Sequence, residues 1–569
     1  MIDRTLRLLR STVGDGCLEL LMGRKILSLL RDLQTIVRGP QEFWDFQVWR
    51  RNRALKYLFR AEGKSRPKSA IVLVQLQKDS RLVLPSLYVA VAIGLLAEAR
   101  PVVFKASLDR ESGLRRGVDW IWSRFSLLFQ LGSLGVFRSI GARSLLRPKE
   151  GQWSARHEAL FVEKKEQIRA KDDVVNLCID GVQVGDLFYD QLLKAGRFTI
   201  DLDSEWFWEE LRKLVSLWLW WEKIFDNKPV VGVVSTAPYL QGLPLRIAAK
   251  RRLISVEPSL GAMHTRRFSV EHPRSRIESL TYREEFERLG RAEQLLGITL
   301  GRKALEQRIT QGVGGPENLF ANQWSPPAGF QSNAPVVRRE NRQLVVVYCH
   351  EFTDAPNTYP SLFPDYWEWL RAIGEEADTK EFRWIVKPHP AASRVSRDAI
   401  EAFARLYPQV EIAAPNVTNA QLIAQGVVAG FTMYGSVGLE LAYHNLPVIN
   451  ASQNNPHVSF DFNVNPDSKM EFLRYVRNPK LARPRIVREE IYACYYMTNI
   501  KNAFSYFYDF RQRDGDLGAS LWDHYFAAFD RADHAQVLSK LEDFIRDGRY
   551  QLDWSVFGVA TKMNTPLKR

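Results

Sequence analysis

AIVLVQLQKDSRLVLPSLYVAVAIGLLAEARPVVFKA, residues 70–106, is the stretch that decides the fold. It opens on a compact apolar run of strand type (AIVLVQL, 70–76) and continues through a helix-like segment (LYVAVAIGLLAEA, 87–99). It closes on a second strand-like run (PVVFKA, 101–106). Strand, helix and strand in so short a span make a βαβ unit, and strands joined that way run parallel.

The same alternation extends outward. VVNLCI (174–179) reads as a strand, EWFWEELRKLVSLWLWWEKIF (205–225) as a helix and PVVGVVS (229–235) as a strand. A helix over LPLRIAAKRR (243–252) then leads to LISVEP (253–258). The tryptophans at 206, 208, 218, 220 and 221 could stack on a ligand, but their spacing suits a helix buried against a sheet or another domain. Residues 312–340 are rich in Gly, Pro, Asn and Gln and read as a linker. The alternation then restarts with strands at QLVVVYCH (343–350), FRWIVK (382–387), VEIAAP (410–415), VVAGF (427–431) and PVIN (447–450). Helices over 366–377, 396–407 and 435–445 separate them, and beyond about 480 the pattern becomes helical and aromatic. There is no internal repeat and no low-complexity segment. The expected architecture is α/β: two Rossmann-like domains facing each other across a cleft, with a helical N-terminal arm and C-terminal helices. The expected boundaries are 1–62 for the arm, 63–330 and 331–480 for the domains, and 481–569 for the last helices.

Composition narrows the class. The chain has 569 residues, 46% hydrophobic and 25% charged, as in soluble globular proteins, and no apolar run is long enough to span a bilayer. Four scattered cysteines (Cys17, Cys178, Cys349, Cys494) form no CxxC and suit a reducing, cytoplasmic setting. The net charge is +14, and residues 1–60 carry ten Arg and two Lys against six acids. Such a leucine- and arginine-rich arm reads in two ways. It packs on its own protein with its charges in water, or it lies on the inner face of the cytoplasmic membrane as a peripheral contact. No zinc-finger, KH or RRM pattern accompanies the charge, so nucleic acid is not an expected partner.

Four constellations could carry chemistry. In Lys387-Pro-His-Pro390, prolines stiffen the exit from a strand and hold His389 where it can hydrogen-bond a phosphate or move a proton. In VVAGFTMYGSVGLELAYHNLPVIN, Gly435 allows close approach of a ligand to the backbone, and Ser436 opens a helix whose free N–H groups suit an anion. Glu440, one turn in, reaches toward ribose hydroxyls, and Gly438 permits close packing of the helix. The bland alternatives are a turn histidine, an ordinary N-cap and a solvated glutamate. In Cys349-His-Glu-Phe-Thr-Asp354, His350 and Asp354 sit at the end of a strand, where loops often contact ligands. His350, Glu351 and Asp354 lack a second ligand cluster, so no metal is expected. In IDGVQVGD, Asp180 and, as second choice, Asp186 could project into the cleft as a general base, or could simply cap turns. Ser235, Thr236, Tyr239 and His264 are weaker cleft candidates.

KPHP followed one βα unit later by GSVGLELAYHNLPVI resembles the C-terminal domain of GT-B glycosyltransferases that build bacterial capsule and lipopolysaccharide. The His-Pro pair is similar to that of bacterial sialyltransferases and Kdo transferases. CHEFTDAPNTYPSLFPDYWEWL and NNPHVSFDFN look like segments of surface-carbohydrate biosynthesis proteins. The resemblance implies that His389 and Ser436 contact the phosphate of a nucleotide sugar, CMP-linked in the sialyltransferases. Their acidic motif has two acids before its glycine where this chain has Ile179-Asp180-Gly181, so UDP-, GDP- and CDP-linked donors stay open. The expected reaction is transfer of a sugar, without a metal or other cofactor, to a glycan or glycolipid acceptor. The second domain would hold the donor and the first the acceptor. The rival readings are transfer of a polyol phosphate from a CDP-linked donor and a non-catalytic scaffold of the same fold.

Overall fold

The computed structural model describes residues 69–311, 341–501 and 533–554, apart from 78–79, 107–112, 150–151, 260–263, 275–277, 390–391, 415–416, 453–454 and 456. The expected arm (1–62) and linker (312–340) lie outside the described residues. In chain order the first half holds β1 (Ile71–Gln75), α1 (Ser80–Leu96), β2 (Arg100–Phe104), α2 (Gly113–Phe129) and β3 (Leu145–Leu146). The hairpin strands β4 (Cys178–Ile179) and β5 (Val182–Gln183) follow, then α3 (Gly185–Lys194), α4 (Glu205–Asn227), β6 (Val230–Val234) and α5 (Leu243–Lys250). β7 (Ile254–Pro258), β8 (His264–Phe268) and α6 (Arg291–Gln311) come next, and further helices, Ala155–Gln167 the longest of them, lie between these elements. The second half holds β9 (Gln343–Tyr348), α7 (Tyr366–Glu376), β10 (Phe382–Lys387), α8 (Arg394–Leu406) and β11 (Glu411–Ile412). It continues with β12 (Val427–Thr432), α9 (Val437–Tyr443), β13 (Val448–Asn450) and α10 (Arg488–Tyr496), followed by α11 (His534–Asp547) and β14 (Gln551–Asp553).

The first sheet runs β14-β8-β7-β6-β1-β2-β3 and the second β11-β10-β9-β12-β13. Apart from the antiparallel β8 and β14, both are parallel, and both count 3-2-1-4-5 in order of appearance. This is a doubly wound pattern, and two such domains form the expected GT-B-like arrangement. Each sheet is buried on both faces, which is why its strands read as unbroken apolar runs. Ile71 and Leu73 enter one core while Val72 and Val74 enter another. Val345 and Val347 likewise part from Leu344 and Val346.

The tryptophan-rich helix α4 is a packing element. Trp218 and Trp221 are buried, with Trp221 edge-on to Phe104 at 5.0 Å between ring centroids. Two expectations change. VVNLCI is no strand of the main sheet, because Asp180 and Gly181 take φ of 46° and 70° and turn the chain straight back into a β4–β5 hairpin. Two consecutive left-handed residues are what a two-residue hairpin turn requires, and Asp-Gly supplies them. The C-terminal segment also divides: α10 packs on α6, while α11 packs on α1 and β14 extends the first sheet beside β8.

Buried polar contacts join the halves. Asp365 caps α7 by accepting from the Glu368 N–H at 2.7 Å, and it also accepts from the Tyr189 hydroxyl at 2.6 Å and the Thr199 hydroxyl at 2.7 Å. Asp190, in α3, accepts from the backbone N–H of Asn357 at 3.2 Å and from its side-chain amide at 2.8 Å.

Candidate active site

In a 3-2-1-4-5 sheet the connections leave in opposite directions on either side of the first strand, which opens a crevice at the carboxyl ends of strands one and four. In the second sheet these strands are β9 and β12. The loop after β9 carries His350 to Asp354, the loop after β12 carries Tyr434 to Ser436, and adjacent β10 ends on Lys387 and leads to His389. Topology therefore brings three of the quoted motifs to one edge.

His350 lies across the crevice. Its Nε2 is 2.9 Å from the Thr432 hydroxyl and accepts from the Tyr434 N–H at 3.4 Å, with its ring stacked on Tyr366. An acceptor Nε2 leaves the proton on Nδ1, a neutral ring. Burial holds the imidazole down at about 3, and neighbouring His389 adds to the effect. His350 is thus a strut of the site. Gly435 donates its N–H to the Thr432 hydroxyl at 3.2 Å, and a Cβ there would stand 2.9 Å from that oxygen. Ser436 caps α9 without a side-chain capping bond and leaves its hydroxyl exposed. Gly438 meets His457 and not a strand, since a Cβ on it would be 2.2 Å from Nε2.

Lys387 is buried, and desolvation lowers its ammonium below the ordinary lysine range, partly offset by Glu440. Glu440 itself is engaged, accepting from Asn419 at 2.5 Å and from Arg308 at 3.2 Å. It braces the site beneath Lys387, and its oxygens are not left for a ribose. His389 is half-buried, and desolvation lowers its imidazole against the opposing pull of Glu351 and Asp354. Glu351 fastens the His389 loop to the β9 loop by accepting from the Ser393 N–H at 2.8 Å and from the hydroxyls of Ser393, Ser396 and Thr353 at 2.6, 2.8 and 2.8 Å. Burial alone would raise that carboxyl, but these bonds outweigh it and hold it low.

Asp354 turns the other way. It sits at an exposed position, and desolvation raises its carboxyl, while the Ala355 N–H and the Tyr239 hydroxyl and Lys194 ammonium of the first domain counteract the rise. Lys194 Nζ sits 3.8 Å over the Tyr239 ring, and Tyr239 holds a φ of 60°. Backbone strain of this kind concentrates at functional sites. Lys194 is the residue that the sequence reading missed, because a lysine at a helix end carries no motif. Asp354 also shows why His350, Glu351 and Asp354 do not assemble: one goes to Thr432, one to Ser393 and one to the cleft. Among the described residues no group of three His, Cys, Asp or Glu side chains is placed to hold a metal ion.

The acids of the first domain lie elsewhere. Asp180 occupies the exposed hairpin tip, and the charge it faces is Glu222 of α4. Asp186 is buried in a two-pronged ion pair with Arg246 at 2.6 and 2.7 Å. Neither stands beside His389. Ser235 and Thr236 do reach a crevice, that of the first sheet, where both donate to Gln75. His264 is buried in β8, paired in register with Asp553 of β14.

No family model and no curated protein matches the chain. Among solved structures it is similar to a UDP-GlcNAc 2-epimerase from Neisseria meningitidis bound to UDP-GlcNAc, at 9% identity over 76% of this chain and 96% of that one, with a TM-score of 0.21. It is also similar to the calicheamicin glycosyltransferase CalG4, at 13% identity over 84% and 99%, TM-score 0.23. The wall teichoic acid polymerase TagF shares 9% identity over 92% and 98%, TM-score 0.18. Among the described residues no helix is long and apolar enough to cross a membrane.

Proposed function

We propose that this chain is a glycosyltransferase that moves a sugar from a nucleotide-sugar donor to a growing cell-surface polysaccharide or lipopolysaccharide. The observation that carries the reading is the convergence of Lys387, His389 and the exposed Ser436 hydroxyl on the carboxyl edge of the second sheet, opposite Lys194 and Tyr239. A nucleotide lies in the β9–β12 crevice. Ser436 and Lys387 take its phosphates, and His389 hydrogen-bonds the oxygen that leaves with them. His389 is neutral in the free protein because burial lowers its imidazole, and an arriving phosphate raises it by adding negative charge nearby. Stabilising the developing charge on the leaving phosphate is the largest catalytic contribution expected here. These groups compensate that charge without a metal, so turnover survives EDTA.

Asp354 is the general base in this reading, in place of Asp180 and Asp186. It faces the first domain, and desolvation raises its carboxyl, which improves proton uptake from an acceptor hydroxyl. The test is a melting-temperature screen with CMP, CDP, UDP and GDP, followed by turnover with the sugar form of the nucleotide that binds. A ligand bound only by the folded chain raises the melting temperature. A shift from one nucleotide that is lost in Ser436→Ala and Lys387→Ala supports the reading. No shift from any of the four sinks it.

A further inference from the structure

A second basic site lies far from these motifs, at the open edge of the first sheet, where β3 is the last strand. A cavity of about 300 Å³ there is lined by four arginines, Arg124, Arg138, Arg143 and Arg147, together with Ser123 and Ser144. No acidic side chain is among the described residues that line it. Its wall is α2, whose outer stripe is apolar and exposed: Ile121, Phe125, Leu128 and Phe129 are 47%, 46%, 67% and 55% exposed. The spacing i, i+4, i+7, i+8 places these four on one helical face, and Arg124 falls within the same stripe. Phe125 and Phe129 stack at 5.7 Å and present one continuous surface.

Large aliphatic and aromatic side chains exposed in a row beside a guanidinium cluster do not suit water. They also do not suit the backbone of a nucleic acid, which offers charge but no hydrocarbon. An anionic bilayer offers both at once, with acyl chains at the depth of the stripe and lipid phosphates at the depth of the arginines. We propose that α2 and the four-arginine cavity form a membrane-docking face, with the cavity receiving the phosphate of an anionic phospholipid. This face belongs to the folded first domain and is separate from residues 1–60. It does not depend on which nucleotide the second domain takes, and it holds the enzyme where a lipid-borne acceptor would be.

The test is sedimentation of the full-length chain with phosphatidylcholine vesicles that contain or lack phosphatidylglycerol. The wild type should pellet with the anionic vesicles only. A basic residue at an anionic surface contributes about fivefold in partitioning, so Arg124→Glu with Arg143→Glu should lower binding roughly twentyfold or more. Arg124→Lys with Arg143→Lys should retain it. Phe125→Ser with Leu128→Ser should lower it roughly tenfold or more while leaving the melting temperature unchanged, because both side chains are exposed. Wild type that stays in the supernatant overturns the proposal. So do glutamate and serine pairs that pellet like wild type, which is the outcome if residues 1–62 or a second copy covers this face. Tighter binding to single-stranded RNA than to anionic vesicles overturns it as well.

Discussion

The two sheets share one strand order, yet their crevices are finished differently. At the first, Gln75 closes the gap between β1 and β6: its Oε1 accepts from the Ser235 hydroxyl, the Thr236 N–H and the Thr236 hydroxyl at 2.8, 2.9 and 3.0 Å, and from Gln77 at 2.8 Å. The four contacts to Gln75 are all between neutral groups, and the one carboxylate beside them, Glu257, accepts from the Ala237 N–H at 2.9 Å and pairs with Arg266. At the second, His350 and Thr432 make the equivalent bridge, but Lys387, His389 and Ser436 flank it with a buried cation, a half-buried imidazole and an exposed hydroxyl. The same topology thus gives one crevice bridged by an amide and one flanked by an ammonium, an imidazole and an exposed hydroxyl. The proposed function places the donor at the second crevice because of this difference, and substitutions on either side can break that proposal.

The largest effect should come from a residue that catalysis does not use. Asp186→Ala strips the partner from Arg246, which is 6% exposed, and Arg274 at 3.5 Å loses the same carboxylate. Removing one side of a buried pair costs about 3–5 kcal/mol, read as a fall in the urea midpoint. A variant that keeps its stability but loses turnover would restore Asp186 as the base. His389→Ala should do the reverse: the fold persists, and kcat falls roughly 10²–10³-fold, the effect of losing one transition-state hydrogen bond. Near-normal turnover in that variant removes the second crevice from the chemistry.

Acid separates the sheets next. His457 is buried and His350 half-buried, and desolvation pushes their imidazoles down to about 4 and about 3. Unfolded imidazoles take a proton near pH 6.5, so below that pH the unfolded chain binds more protons than the folded one. Stability from these two groups is complete above about pH 6.5 and is lost as the pH falls toward 4 and then 3. His457 alone accounts for about 3 kcal/mol by pH 4. The Gln75 cluster holds no group that titrates in that range. Hydrogen exchange should therefore lose protection in β9 and β12 before β1 and β6 as pH falls from 7 to 4.5, and the opposite order breaks the comparison. Gln75→Ala should be smaller again. It orphans buried donors at about 1–3 kcal/mol and leaves KM for the donor unchanged.

The strands, the buried tryptophan helix and the gathering of motifs at one sheet edge were legible in the sequence. Unbroken apolar runs mean strands covered on both faces, and chain order in such sheets fixes which loops meet. What the sequence hid was the destination of individual side chains. CHEFTD gives no sign that His350, Glu351 and Asp354 point three ways, since that depends on Thr432, at the end of β12, and Ser393, which caps α8. Glu440 gives no sign of Arg308. β14 reaches the first sheet from the far end of the chain, and no local pattern announces a strand of three residues there.

The smallest expected effect bears most directly on the base. IDG admits two readings, a carboxylate aimed at an acceptor or a tight turn, and the φ of 46° at Asp180 favours the turn. Asparagine is as content as aspartate in the left-handed region, so Asp180→Asn should leave both the melting temperature and kcat close to wild type. Asp354→Asn removes a carboxylate that faces Tyr239 and Lys194 across the cleft, and it should lower kcat by roughly 10²–10⁴-fold with donor binding retained. If the two outcomes are exchanged, the hairpin tip reaches the acceptor and the cleft must close further than it stands here. If both variants turn over normally, the proton leaves through neither carboxylate, and His389 is the next residue to test as its acceptor.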